Sequence, residues 1–227
     1  MHLLIACAGS GRRMGATVNK LFLEVFHKPI LAWTLLAAEQ ANSVEWIGLI
    51  IQPEERETIA TILQEYPLCK PIVLIAGGAT RQESVYRGLL ALPTGTKKVL
   101  IHDGARCLVT DTLLDRCSRT LEKASGLVTA IPVKDTIKVV EIATGKIEQT
   151  PQREKLWAAQ TPQGFDVALL KLAHEDAIQK GWKVTDDSML LEQMGHDVVV
   201  VSGEDSNIKI TTPLDLMIAE MILKQRF

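Results

Sequence analysis

Apolar and polar positions along the chain switch between two periods. Leu3-Leu4-Ile5-Ala6 is a short apolar run of strand length, and it enters Cys7-Ala8-Gly9-Ser10-Gly11. Ile30 to Gln40 places Ile30, Trp33, Thr34 and Ala37 on one helical face behind Pro29, a residue suited to a helix start. Trp46 to Ile51 reads as a second buried strand, stopped by Gln52-Pro53. Glu54 to Glu65 is an amphipathic helix with Ile59, Ile62 and Leu63 inward. A third strand, Pro71 to Ala76, runs into Gly77-Gly78 and then a helix from Ser84 to Leu92. A fourth, Lys98 to His102, ends in Asp103-Gly104-Ala105-Arg106, and Leu127 to Val133 is a fifth. Further on, Val167 to Lys180 reads as a helix, and Thr185-Asp186-Asp187-Ser188 caps another that Gly195 closes after Met194. Val198 to Ser202 is expected as a last core strand, and Pro213 opens a terminal helix to Lys224.

Strands alternating with helices predict an α/β fold, Rossmann-like, with a mainly parallel sheet and helices on both faces. One segment breaks the rhythm. Lys134 to Ile142 and Lys146 to Gln149 are β-rich runs joined by Ala143-Thr144-Gly145, the pattern of a hairpin. A two-stranded hairpin is marginal alone in water, so this arm either folds back on its own domain or packs on a second subunit. The expected organisation is one domain over residues 1–227 with a protruding arm at about 134–155.

Composition narrows the class. The 227 residues are 47% hydrophobic, enough for a sizeable core, and a net charge of −2 argues against a nucleic-acid binder. Cys7, Cys69, Cys107 and Cys117 form no C-x-x-C pair and read as free thiols of a cytoplasmic protein. No signal-peptide pattern follows Met1, and no apolar run reaches the ~18 residues of a membrane span.

In parallel sheets ligands bind beyond the carboxyl ends of the strands. Three of these ends carry Gly9/Gly11, Gly77/Gly78 and Asp103/Arg106. A glycine-rich turn points consecutive N–H groups at an anion, and Arg13 and Lys20 add positive charge where a polyphosphate would lie. The loop completes neither G-x-G-x-x-G nor G-x-x-x-x-G-K-[ST], which disfavours a dinucleotide fingerprint and a P-loop. Asp103 suits Mg²⁺, which takes few protein oxygens and keeps phosphate ligands; a helix cap or an ion pair with Arg106 is the plainer role. Downstream, Glu204 to Thr211 offers Asp205 to the same metal and Lys209 to a phosphate.

Together, Ala8-Gly9-Ser10-Gly11-Arg12-Arg13-Met14 with Lys20, Gly77-Gly78 with Arg81 and Ser84, His102-Asp103-Gly104-Ala105-Arg106, Val133-Lys134-Asp135-Thr136, Gln160-Thr161-Pro162-Gln163 and Asn207-Ile208-Lys209-Ile210-Thr211 resemble the 2-C-methyl-D-erythritol 4-phosphate cytidylyltransferases of non-mevalonate isoprenoid synthesis. The resemblance spans nearly the whole chain and implies the nucleotidyltransferase fold, with CTP and Mg²⁺ at the sheet's edge and a homodimer built through the arm. It implies attack by the acceptor phosphate on the α-phosphorus of CTP. By similarity, Ala8, Gly9, Gly78 and Ser84 surround the cytosine or its ribose, and Gly11, Arg81, Ala105 and Arg106 complete the CTP site. Arg13, Lys20 and Lys209 are the catalytic cations, and Asp103 with Asp205 the metal ligands. Thr136, Arg153 and Lys209 bind the sugar phosphate, the first two from the other subunit's arm. The chain departs from the family's usual His-Asp-Ala-Ala-Arg-Pro at Gly104 and Cys107, and from its usual aspartate before Arg153. A sister activity on ribitol 5-phosphate and a non-catalytic nucleotide-binding dimer are the alternatives. Related molybdopterin transferases usually lack the arm.

Overall fold

The computed structural model describes residues 1–9 and 19–227. In chain order the elements are β1 (His2–Ala6), the short ribbon β2 (Glu24–Val25) and β3 (Lys28–Pro29), α1 (Ile30–Gln40), β4 (Trp46–Ile51), α2 (Arg56–Glu65), β5 (Ile72–Ala76) and α3 (Arg81–Leu90). There follow β6 (Lys98–Asp103), α4 (Asp111–Leu121), β7 (Gly126–Pro132), the hairpin β8 (Val139–Val140) and β9 (Ile147–Gln149), and β10 (Trp157–Asp166). The chain then forms α5 (Val167–Lys180), α6 (Ser188–Gln193), β11 (Val199–Ser202) and α7 (Pro213–Arg226).

Seven strands make the central sheet in the order β11-β7-β10-β6-β1-β4-β5. All pairings are parallel except those of β10, which runs antiparallel to both β6 and β7. Successive residues of a strand face opposite sides, and each side has its own core. Leu3, Ile5, Ile47 and Leu49 pack with α1, α2, α4 and α7. Leu4, Trp46, Ile50 and Ile101 pack with α3, α5 and α6. The sheet is therefore a plate covered on both faces, which is why its strands read as continuous apolar runs.

Besides the short β2–β3 ribbon, two larger elements were not signalled by the sequence pattern. One is α4, whose cap is Thr110, accepting from Leu113 N. The other is β10, whose polar middle residues Gln160, Thr161 and Gln163 are buried. A further expectation is corrected: β11 is not a core strand but the sheet's edge, with Val199 and Val200 exposed and Val201 buried. Pro53–Glu55 form a 3-10 turn, so α2 begins at Arg56.

The hairpin projects as expected. Residues 134–150 are all exposed, and Gly145 takes a left-handed φ of 71° at its turn. No helix among the described residues is long and apolar enough to cross a membrane.

Candidate active site

The carboxyl ends of β5, β4, β1 and β6 are laced together one residue beyond the strands. Gly77 N donates to Ile51 O, Cys7 N to Ile50 O and Gly104 N to Ala6 O. Over these ends lies a cavity of about 590 Å³. Its wall changes character along the sheet. Toward β6 it carries Lys20, Arg81, Asp103 and Lys209; toward β4 and β5 it carries Ala8, Gly9, Gln52, Gly78, Ala79 and Ser84.

Lys20 opens a 3-10 turn capped by Asn19, whose Oδ1 accepts from Leu21 N. The Asn19 amide donates to Cys7 O and to Glu55 Oε1, so the loop's exit is tied to both β1 and the turn before α2. Lys20 Nζ donates to Ile210 O at 2.6 Å.

Asp103 is the electrostatic centre. Lys209 Nζ lies 2.7 Å from its Oδ2, Arg81 Nε 3.4 Å from its Oδ1 and Arg106 Nε 3.9 Å from its Oδ2. Burial opposes its charge, but Arg81, Lys209 and Arg106 outweigh burial and hold the carboxyl far below the usual carboxylate range. Arg81 also reaches Asp187, with Nη2 2.8 Å from Oδ2. Burial disfavours the Arg81 charge too, yet Asp187 and Asp103 raise its pKa overall. Asp187 is 1% exposed, and burial pushes its pKa up despite Arg81. Among the described residues, Lys20, Arg81 and Lys209 line the cavity against Asp103 and, behind Arg81, Asp187, an excess of positive charge suited to a polyphosphate.

The residues behind the wall hold these charges in place. The Thr161 hydroxyl accepts from Asp103 N at 3.0 Å and lies 2.9 Å from His102 Nδ1. With its oxygen accepting from Asp103, the hydroxyl donates to Nδ1, leaving Nε2–H to donate to Arg106 O. His102 is neutral, its pKa lowered to about 4 by burial, and acts as a strut. Asn207, fully buried, donates to Gln160 Oε1 and Thr161 O and accepts Arg106 Nη1 on its own carbonyl. Ile210 N donates to Ala105 O. These bonds fasten the loop after β11 to β10 and β6, and bring Lys209 to Asp103 from 106 positions away.

The structure gathers Ala8, Gly9, Lys20, Gly78, Arg81, Ser84, Asp103, Ala105 and Lys209 around one cavity. Gly11 and Arg13 lie outside the described residues. Arg106 sits behind the cavity, bonded to Asn207 O and Ala159 O. Asp205 is not brought to Asp103; its Oδ2 lies 2.9 Å from Lys134 Nζ, both side chains exposed. Thr136 and Arg153 are on the exposed arm, with Arg153 Nη1 donating to Lys134 O. Sequence reasoning missed Asn19, Gln52 and Asp187. For Gln52 a signal was available, since a polar residue just past a buried strand, beside two glycine-rich strand ends, belongs to the ligand edge.

Comparison with known proteins agrees over the full length. A family model described as IspD: 2-C-methyl-D-erythritol 4-phosphate cytidylyltransferase matches residues 1–225. A protein of that name from Acaryochloris marina is 59% identical over 226 residues, covering 100% of this chain and 95% of the relative. Another from Synechocystis sp. is 57% identical, covering 100% and 98%. A crystal structure of 4-diphosphocytidyl-2C-methyl-D-erythritol synthase from Anaerococcus prevotii superposes with a TM-score of 0.87 at 34% identity, covering 98% of this chain and 97% of that one. The Thermus thermophilus cytidylyltransferase structure gives 0.79 at 34% identity, covering 98% of each.

Proposed function

The chain belongs to the 2-C-methyl-D-erythritol 4-phosphate cytidylyltransferase family, and from that premise we propose how its cavity performs the family's reaction. The enzyme transfers CMP from CTP to 2-C-methyl-D-erythritol 4-phosphate, giving 4-diphosphocytidyl-2-C-methyl-D-erythritol and pyrophosphate. An acceptor phosphate oxygen forms the new bond to the α-phosphorus, and the bond from that phosphorus to the β-phosphate oxygen breaks.

The observation that carries the assignment of roles is the graded wall of the cavity. The uncharged side takes the pyrimidine nucleoside, and Lys20, Arg81 and Lys209 take the phosphates. Such transfer is mostly positioning and charge stabilisation, so fixed cations suffice without a covalent nucleophile. Lys20, held by the Asn19 cap, stabilises the α-phosphate as it becomes crowded. Lys209 exchanges Asp103 for the acceptor phosphate.

Asp103 fits a Mg²⁺ ligand: it lines the cavity, stays ionised, and Mg²⁺ takes one or two carboxylates besides phosphate oxygens. Bound there, Mg²⁺ would neutralise charge on the triphosphate. Asp103→Asn is expected to move the Mg²⁺ dependence of turnover to higher concentration, and an unchanged titration would leave Asp103 as an anchor for Lys209 and Arg81.

The arm supports a homodimer. Ile142 is 98% and Ile147 61% exposed on an element too small to be stable alone. In a dimer each arm brings Thr136 and Arg153 to the partner's acceptor phosphate. The free cysteines, three of them buried, accord with a cytoplasmic enzyme.

Pyrophosphate release from CTP, with each acceptor supplied in turn, tests the reading. Methylerythritol phosphate should support turnover far better than ribitol 5-phosphate. Equal or better release with ribitol 5-phosphate would overturn the assignment of acceptor.

A further inference from the structure

Gln52 directly follows β4 at the uncharged side of the cavity, between Ala8 after β1 and Gly77-Gly78 after β5. Most polar side chains at this side are already committed. Ser84 Oγ accepts from Gly78 N and donates to Thr80 O. Thr80 Oγ1 accepts from Glu83 N, and Asn19 uses both ends of its amide. Several main-chain groups are committed too: Ala79 N donates to Glu83 Oε2, and Gly77 O accepts from Arg87. Gln52 is different. Its Nε2 donates to Ala8 O, which fixes which end of the amide faces β1, because a carbonyl there would oppose a carbonyl. Among the described residues its Oε1 accepts no hydrogen bond, the Nε2 donation to Ala8 O being the side chain's one bond there.

A pyrimidine base at this side presents its 4-substituent as the distinguishing group. Cytosine carries an amine there, a donor, whereas uracil carries a carbonyl, an acceptor. A preset acceptor with no partner among the described residues favours the first and repels the second. We propose that Gln52 reads the exocyclic amine of cytosine and is the side chain by which this enzyme separates CTP from UTP. The proposal rests on the cavity being the CTP site. Among the described residues the Gln52 side chain bonds to Ala8 O and makes no hydrogen bond to Lys20 or Lys209, so its effect is expected on the base.

The test is kcat/KM for CTP and for UTP, with methylerythritol phosphate as acceptor, in wild type and in Gln52→Leu, which keeps size but removes both polar groups. The CTP-to-UTP ratio should fall by about 10-fold to 100-fold, the range for one lost donor–acceptor match, with the loss on the CTP side. Gln52→Ser provides a second variant, its folding checked by circular dichroism. Independently of any variant, wild type is given the triphosphate of pyrimidin-2-one riboside, which has hydrogen in place of the amine. Wild type should use it about as poorly as Gln52→Leu uses CTP. An unchanged ratio in a folded variant, or wild-type use of the pyrimidinone as good as of CTP, would overturn the proposal. Failure of wild type to turn over CTP at all would instead overturn the assignment of the cavity, and it is seen before any variant is made.

Discussion

Gly104 and Cys7 compete for one small volume beneath the cavity. A Cβ placed on Gly104 would lie 2.9 Å from Cys7 Sγ and 3.3 Å from Ala6 O. Cys7 is buried on the sheet's first strand end, and burial holds its thiol protonated. An alanine at position 104 therefore clashes in this chain unless Cys7 also shrinks. Gly104→Ala should cost about 1–3 kcal/mol by overpacking. Adding Cys7→Ala should return most of that loss, since the two residues are in contact and their effects do not add. Urea midpoints of the four chains check this, and an equal loss in both backgrounds would contradict it. Lys20 offers a kinetic counterpart at the same scale. Lys20→Ala should lower kcat by roughly 10²–10³ while CTP binding changes little, because its charge acts where charge develops. A variant that only raised KM would place Lys20 on the ground-state triphosphate.

Among the elements, the packing of α3 against α5 carries a pH dependence. His174 on α5 is 1% exposed, its ring 5.4 Å from that of Tyr86, and its Nε2 has no hydrogen-bond partner among the described residues. Burial, and then Arg81, lower its pKa to about 4. An unfolded histidine titrates near 6.5, so between these values the unfolded chain binds a proton that the folded chain refuses. Stability is full above about pH 6.5 and falls as pH drops toward 4, by on the order of 3 kcal/mol from this group. The urea midpoint of wild type should fall more steeply with acid than that of His174→Leu, and parallel slopes would contradict this. The elements also show where local pattern carries information. Pro29 fixes the start of α1, and α1 and α5 have the bounds their periodicity predicts. By contrast β10 is hidden, because its polar Gln160, Thr161 and Gln163 are satisfied by Asn207, His102 and Asp186, partners far off in sequence. The same limit applies to the site. The residue types at the strand ends were legible. The pairings were not: Arg81 bridges Asp103 and Asp187, and Asp205 turns away to Lys134.

At the scale of the whole molecule, a plate of seven strands covered on both faces supports charges at one edge and an arm that its own body leaves exposed. We have proposed that the cavity and the arm serve one reaction from different chains. If so, catalysis requires Lys20 from one subunit and Arg153 from its partner. The most direct measurement is the activity of purified mixed dimers, one chain carrying Lys20→Ala and the other Arg153→Ala. Each parent homodimer has a lesion at both sites and should be nearly inactive. In the mixed dimer one site collects both lesions, and the other keeps its own Lys20 and receives an intact Arg153. With independent sites, pyrophosphate release should recover to about half of the wild-type rate per dimer, as expected for one intact site of two. Mixed dimers as inactive as their parents would show that Arg153 serves its own subunit, and would contradict the shared site.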